Sequence, residues 1–367
     1  QELLKLLLKN GCRMAEPGEF TQRAFANGKF DLSQAESIAD LIASQSRASH
    51  KLAMNQMRGG FSRELQVLRD RLLTFTSLVE LELDFADHEE LEFADRSELK
   101  LLASEIKEKI SKLENSFGTG NVIKNGIPVS IIGETNAGKS TLLNFLLKED
   151  KAIVSDIHGT TRDVVEDTIT INGLLFRFID TAGLRETTDV IENMGIERSF
   201  REMEKASVVL WVVDASQPLD NMKKIASQIE SRLVDQHCVI VFNKVDLIDE
   251  EKRKELSAYA KEFTDNQIFI SAKKELNTEK LEELLVEASQ VPEIGENDVM
   301  VTNLRHYEAL KNARFAIERV EEGLEMQISG DFLSQDIREC LHYLGEITGE
   351  ITTDEVLGNI FMKFCIG

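Results

Sequence analysis

The octapeptide Gly133–Glu134–Thr135–Asn136–Ala137–Gly138–Lys139–Ser140 constrains the fold of this chain more than any other feature. It reads G-x-x-x-x-G-K-S. Residues 128–132 before it have the composition of a short buried strand, and residues 141–147 after it that of an apolar helix. Strand, glycine loop and helix start make a phosphate cradle. The glycines let the backbone wrap a phosphate, and the helix N-terminus presents N–H groups that lack intrahelical partners. The candidate phosphate-side residues are Asn136, Ala137, Gly138, Lys139, Ser140 and Thr141. Lys139 is expected to reach the β- and γ-phosphates, and Ser140 to ligate Mg²⁺.

Three further motifs follow in the order a GTPase requires. Asp180–Thr181–Ala182–Gly183 is D-x-x-G at the end of a strand-like run, 174–179. Asp180 is expected to hold Mg²⁺ through water, and the Gly183 N–H to meet the γ-phosphate. Asn243–Lys244–Val245–Asp246 is N-K-x-D after an apolar strand at 239–242. A carboxylate there accepts from guanine N1–H and the 2-amino group together. Adenine offers neither donor in that arrangement, so Asp246 selects GTP over ATP. Ser271–Ala272–Lys273, after residues 268–270, supplies the second base-side loop. Each short motif is weak alone; four in order at strand ends predict a GTP-hydrolysing enzyme.

The flanks read differently. Residues 1–125 carry a helical pattern: Leu65, Leu68, Leu72, Phe75 and Leu78 recur at spacings of three and four, forming one apolar stripe. Ser33 and Glu36 predict a capping box ahead of Ile38, Leu41 and Ile42. Gly118–Thr119–Gly120 and Asn125–Gly126 are expected to punctuate the exit. Over 126–290 strands alternate with helices, which argues a parallel α/β sheet, with Asn172–Gly173 as a two-residue hairpin turn. Over 291–367 the helical pattern returns, at His306, Leu310, Ala313 and Ala316, then at Ile337, Leu341, Leu344 and Ile347. The expected organisation is a Ras-like phosphate-loop GTPase domain at 126–290 inserted into one helical domain built from 1–125 and 291–367. Insertion is tolerated where a domain's ends lie close together. Separate bodies on a string remain the alternative.

Composition removes other classes. At 367 residues the chain should hold two or three domains. No run approaches the ~18 apolar residues of a membrane span. Cys12, Cys238, Cys340 and Cys365 are too widely spaced for a metal pattern, and are expected to be reduced thiols in a cytoplasm. The net charge of −22 argues against coating nucleic acid by charge. The acidic cluster between Glu80 and Glu98 reads as a solvated helix face.

The flanking segments carry a family resemblance. Arg13–Met14–Ala15–Glu16–Pro17–Gly18–Glu19–Phe20–Thr21, Arg23–Ala24–Phe25 and Asp31–Leu32–Ser33–Gln34–Ala35–Glu36 resemble the start of the helical domain in the MnmE (TrmE) family of tRNA-modification GTPases. Gly345–Glu346–Ile347–Thr348–Gly349–Glu350 and the terminal Phe364–Cys365–Ile366–Gly367 resemble that family's end. Gly159–Thr160–Thr161–Arg162–Asp163 and Asp180–Thr181–Ala182–Gly183–Leu184–Arg185 are similar to its two switch signatures. There are departures. Thr135 stands where the family usually has proline, and the usual lysine after C-I-G is missing. The family's N-terminal folate-binding, dimerising domain of roughly a hundred residues is expected to lie outside this sequence. Gln1 is no initiator, so the chain is expected to be part of a longer protein.

The resemblance implies a chemistry. With an FAD-containing partner, MnmG, such proteins install an aminomethyl or carboxymethylaminomethyl group on C5 of the tRNA wobble uridine, the carbon coming from a tetrahydrofolate derivative. The catalytic glutamate matches Glu192. K⁺ ligands match Asn136, Ser155, Ile157 and Thr160, and Mg²⁺ ligands match Ser140 and Thr161. The folate-proximal lysine matches Lys29. Cys365 is either a folate-proximal thiol or an inert buried one. The family is a homodimer whose GTPase domains pair in the GTP state; no membrane is involved, and its place is the cytoplasm. The residues support part of this on their own. Leu184 follows D-x-x-G where Ras-like enzymes carry a water-orienting glutamine, so hydrolysis needs another group. A monovalent cation could neutralise transition-state charge, and Asn136 offers a suitable amide oxygen. Asn136 read as a loop hydrogen bond and Glu192 as an exposed acid are the blander alternatives. A ribosome-assembly GTPase is the competing function; it would need a KH domain or a second GTPase domain, and neither is visible. A dynamin-like membrane GTPase would need a basic or apolar tip, also not visible.

Overall fold

The structure, a computed structural model, describes residues 2–84, 96–149, 167–179, 203–295 and 298–351. In chain order the described elements begin with α1 (Glu2–Lys9), α2 (Glu19–Ala26), α3 (Leu32–Ala43), α4 (Arg47–Met57), α5 (Gly60–Asp84) and α6 (Arg96–Asn125). Next come β1 (Ile127–Ile132), α7 (Lys139–Glu149), β2 (Asp167–Ile171), β3 (Leu174–Phe178), β4 (Val208–Asp214), α8 (Leu219–Glu230) and β5 (His237–Asn243). A 3₁₀ turn (Val245–Leu247), α9 (Glu250–Ala260), β6 (Gln267–Phe269), α10 (Thr278–Ala288), α11 (Leu304–Glu325) and α12 (Gly330–Thr348) complete the order. The chain divides into two compact units, one made of Gln1–Lys124 with Ile294–Gly367, the other of Asn125–Glu293.

In the helical unit the apolar stripe of α5 does what its spacing implies. Leu65, Leu68, Leu72 and Phe75 are buried, and Leu78 packs at the edge. They meet Leu99, Ala103, Ile106 and Ile110 of α6, Leu310, Ala313, Ile317 and Val320 of α11, and Ile337, Cys340, Leu344 and Ile347 of α12. Helices from both ends of the chain therefore share one core. Each such large side chain contributes about 1.5–3 kcal/mol on burial, so the two arms hold one another by many increments. No described helix is long and apolar enough to cross a membrane.

Two local expectations are corrected here. The cap of α3 is Asp31, not Ser33: the Gln34 N–H donates to Asp31 Oδ1 at 2.9 Å, and Asp31 N donates to Gln34 Oε1 at 3.1 Å. Asp and Gln close the same box two residues earlier, while Ser33 Oγ bonds Asp31 Oδ1 at 2.7 Å and Ser62 Oγ at 3.1 Å. Ile42, further along α3, is exposed. Second, α6 runs through Gly118–Thr119–Gly120 without a break and ends at Asn125. A Cβ on Gly120 would stand 2.2 Å from Val301 O, so this glycine admits a close backbone approach rather than a turn.

The second unit carries a six-stranded sheet in the order β2-β3-β1-β4-β5-β6. Every neighbouring pair is parallel except β2–β3, which form the antiparallel hairpin around Asn172 and Gly173, both at positive φ (51° and 81°). β4 and β5 are buried nearly throughout, as strands covered on both faces must be. The carboxyl ends of β1, β4 and β5 lie side by side, where ligand crevices form in open α/β sheets. The fold is a phosphate-loop GTPase domain set into a helical domain.

Candidate nucleotide-binding site

From β1 the chain enters the loop and starts α7 at Lys139. Lys139 Nζ donates to Gly133 O and Glu134 O, both at 2.7 Å. Among the described residues it makes no ion pair. Burial pushes its ammonium below the ordinary lysine value. A desolvated cation held only by carbonyls gains most from an anion. The Leu142 N–H donates to Gly138 O at 2.9 Å, so Lys139, Ser140 and Thr141 supply the orphan donors of a helix start. Asn136 sits exposed at the loop crest in the left-handed region, φ 62°, and Ala137 behind it is buried.

The N-K-x-D turn is tied to the glycine loop by one amide. Asn243, the last residue of β5, is buried. Its Nδ2 donates to Ala137 O at 2.9 Å, and its Oδ1 accepts from Lys244 N at 2.9 Å and Ala272 N at 3.0 Å. Three loops thus meet on one side chain. Gly138 is required by that approach: with φ 97° its Cβ would lie 2.1 Å from Asn243 Nδ2.

Asp246 stands on the 3₁₀ turn. Its Oδ1 accepts from Ser271 Oγ at 2.7 Å, and Lys274 Nζ lies 3.1 Å from Oδ2. These two contacts hold its carboxyl below the usual aspartate value. Ser271 and Ala272 are buried beside it, while Lys273 is exposed. Asn136, Ala137, Gly138, Lys139, Ser140 and Thr141 thus share one loop, and Asn243 bonds that loop to the turn and the strand end bearing Lys244, Asp246, Ser271 and Ala272. Lys29 is exposed in the other unit, just past α2, its N–H donating to Ala24 O at 2.9 Å. Ser155, Ile157, Thr160, Thr161, Asp180, Thr181, Ala182, Gly183, Leu184, Glu192 and Cys365 lie outside the described residues.

Nothing in the motifs points to Asp214 or Lys274, yet both touch the site. Asp214 Oδ2 pairs with Lys244 Nζ at 2.6 Å. The signal for Asp214 was there to use: it is the one polar residue closing a strand that is otherwise Val–Val–Leu–Trp–Val–Val, at the sheet's ligand edge. Lys274 offered no signal beyond adjacency to Lys273.

Comparison with known proteins bears on this arrangement. The family described as MnmE helical domain matches residues 32–365, and GTP-binding protein TrmE N-terminus matches residues 1–29. A "tRNA modification GTPase MnmE" of Bacteroides thetaiotaomicron is 60% identical over 371 residues, covering 100% of this chain and 79% of its own length. Proteins of the same name from Parabacteroides distasonis and Christiangramia forsetii are 59% and 52% identical, each covering 100% of this chain, and 79% and 80% of their own lengths.

Proposed function

The chain belongs to the MnmE family of tRNA modification GTPases, and from that premise we propose the particular chemistry its residues perform. GTP binds with its phosphates in the loop of Asn136, Ala137, Gly138, Lys139, Ser140 and Thr141. Its guanine lies against Asn243, Lys244, Asp246, Ser271, Ala272 and Lys273. The observation that carries this reading is Asn243, whose buried amide binds the phosphate loop, the N-K-x-D turn and the Ser271–Ala272 strand end at once.

Lys139 fits the phosphates because, among the described residues, it is held by the Gly133 and Glu134 carbonyls and by no ion pair, and an anion can displace those carbonyls. Ser140 at the start of α7 and Thr161 offer the hard oxygen donors that Mg²⁺ takes, and Asp180 would hold the ion through water. Asn136, exposed at the loop crest, offers an amide oxygen to K⁺, with Ser155, Ile157 and Thr160 completing the set. When bound, the two cations supply positive charge against the developing negative charge of phosphoryl transfer. Glu192 would orient the attacking water, the task Leu184 cannot perform, and the Gly183 N–H would meet the γ-phosphate, with Thr181 and Ala182 part of the same nucleotide-binding motif.

The substrate of the whole system is the tRNA wobble uridine, modified at C5 together with the FAD-containing MnmG subunit. A tetrahydrofolate derivative supplies the carbon near Lys29 and Cys365. Activity involves a homodimer whose GTPase domains pair in the GTP state, in the cytoplasm. Steady-state GTPase measured in KCl and in NaCl at equal ionic strength, for wild type and Glu192→Ala, tests the mechanism. Exchanging K⁺ for Na⁺ and removing Glu192 should each lower turnover on the order of 10²–10³-fold, while the variant keeps its GTP affinity. Equal rates in the two salts would remove K⁺ from the mechanism, and a fully active variant would return Glu192 to an exposed acid.

A further inference from the structure

Asp214 sits where β4 ends, in register with Asn243 at the end of β5, and the next residue's N–H, from Ala215, donates to Asn243 O at 3.0 Å. Only 8% of it is exposed. Both its oxygens are committed. Oδ1 accepts from Ser216 N at 3.0 Å and Ser216 Oγ at 2.7 Å, and Oδ2 meets Lys244 Nζ at 2.6 Å. Burial pushes the carboxyl up, but Lys244 and Ser216 outweigh it and keep it below its usual value. It is therefore a fixed negative charge, aimed by Ser216 at one lysine.

That lysine is in an unusual place. Lys244 is a non-glycine residue in the left-handed region, φ 64° and ψ 34°, at the junction where β5 becomes the 3₁₀ turn Val245–Leu247. Such a conformation persists only when the surroundings over-determine it. Asn243 Oδ1 holds the Lys244 N–H, Ile270 O accepts from Val245 N at 3.2 Å, and Asp214 holds the far end of the side chain. The kink at Lys244 sets the direction in which the turn presents Asp246.

We propose that Asp214 is a positioning residue for guanine-nucleotide binding, acting through Lys244 on the turn that carries Asp246. The inference rests on the nucleotide site proposed above. Without the Asp214 charge, Lys244 relaxes from its kink and the Asp246 carboxylate loses its fixed register with the base. The effect is expected on binding, since among the described residues the Asp214 carboxylate bonds only Ser216 and Lys244; GDP and GTP should suffer alike.

The test is calorimetric titration of the chain with GDP and a non-hydrolysable GTP analogue, alongside steady-state kinetics. Wild type, Asp214→Asn, Lys244→Met and the double variant are compared, with thermal unfolding of each nucleotide-free protein. Asp214→Asn keeps shape and removes charge. It should weaken both ligands roughly tenfold, the scale of one hydrogen bond to a charged group. KM for GTP should rise with kcat unchanged, and the double variant should bind no worse than Lys244→Met alone. Wild-type affinity in Asp214→Asn, additive losses in the double variant, or a fall in kcat at constant KM would each overturn the proposal. If Asp214→Asn lowers the unfolding temperature, Ser216→Ala decides. It removes one of the two donors that aim Asp214, so a smaller loss in affinity supports the proposal and an unchanged affinity overturns it. A wild-type chain that binds no guanine nucleotide would instead overturn the site itself.

Discussion

Glu36 in the helical unit and Asp246 in the GTPase unit are both carboxylates met by cations, and they end differently. Glu36 Oε1 accepts from Arg305 Nε at 3.1 Å, and Oε2 from Arg305 Nη2 at 2.8 Å, with His306 Nε2 at 2.6 Å. Arg305 also donates to Glu346 O at 2.6 Å and Ile347 O at 3.1 Å, the last turn of α12, and His306 is 1% exposed. Both oxygens of Glu36 are spoken for by partners that cannot leave. Asp246 has a hydroxyl on one oxygen and, on the other, a lysine whose side chain is 58% exposed. A carboxylate saturated from within the protein ties helices together. One whose partner can swing into water keeps a place for a ligand.

The comparison breaks most visibly at Glu36. Removing one partner of a buried ionic group strands the other, at about 3–5 kcal/mol. Glu36→Gln should lower the stability of the helical unit by that order, read by chemical denaturation, with GDP affinity retained. The same node sets an acid limit. Burial pushes the Glu36 carboxyl up, but His306 and Arg305 outweigh it and hold it down, from 4.5 to about 2. A depressed carboxyl stabilises the fold above its unfolded value and loses that contribution as pH falls through the folded one. Roughly 3 kcal/mol should therefore drain away between about pH 5 and pH 2, and that step should be missing from the pH profile of Glu36→Gln. A denaturation profile with the same acid limb in both proteins would show that Glu36 is not the titrating group.

Asp246 should behave in the opposite sense: costly for the ligand, cheap for the fold. Asp246→Asn exchanges an acceptor for a donor opposite guanine N1–H and the 2-amino group. GTP affinity should fall on the order of 10²-fold, near 2.7 kcal/mol, while xanthosine triphosphate gains. Calorimetry with both nucleotides reads the exchange, and unchanged GTP binding would sever Asp246 from the base.

The same contrast separates what the sequence disclosed from what it hid. Gly138, Lys139, Asn243 and Asp246 stand out in the sequence because G-x-x-x-x-G-K-S and N-K-x-D fix residue types at set spacing, whatever surrounds them, and the structure joins their loops through Asn243. The α5 stripe from Leu65 to Phe75 was legible because one helix face must be apolar to be buried. Glu36 was misread as a cap because S-x-x-E is a local pattern, whereas its partner Arg305 lies 269 residues away. Asp31 satisfied the helix start first and left Glu36 free for that distant cation. Gly118 and Gly120 read as a stop, since local rules give glycine no reason to lie inside a helix; Val301 O supplies the reason at Gly120, and nothing lies within 4 Å of a Cβ at Gly118. Asp214 is marked in the sequence only as a polar strand end; its partner Lys244, one strand over, gives it meaning.

The smallest effect is also the finest test of the exchangeable partner. On the base site proposed above, Lys274 Nζ at 3.1 Å from Asp246 Oδ2 occupies an oxygen that guanine's donors would need. Before the base can bind with both donors, that ammonium must give way. Its grip is weak, because an ion pair to an exposed lysine is screened by water and by salt. Lys274→Met keeps most of the aliphatic stem and removes the charge. GDP affinity should then rise by no more than about fivefold at low ionic strength, and the advantage should vanish as salt is raised and the wild-type pair is screened. Titrating both proteins with GDP across a salt series reads this directly. A variant that binds GDP more weakly at every salt concentration would reverse the assignment, making Lys274 a support that holds Asp246 in place, as Arg305 holds Glu36, rather than an occupant that yields to the base.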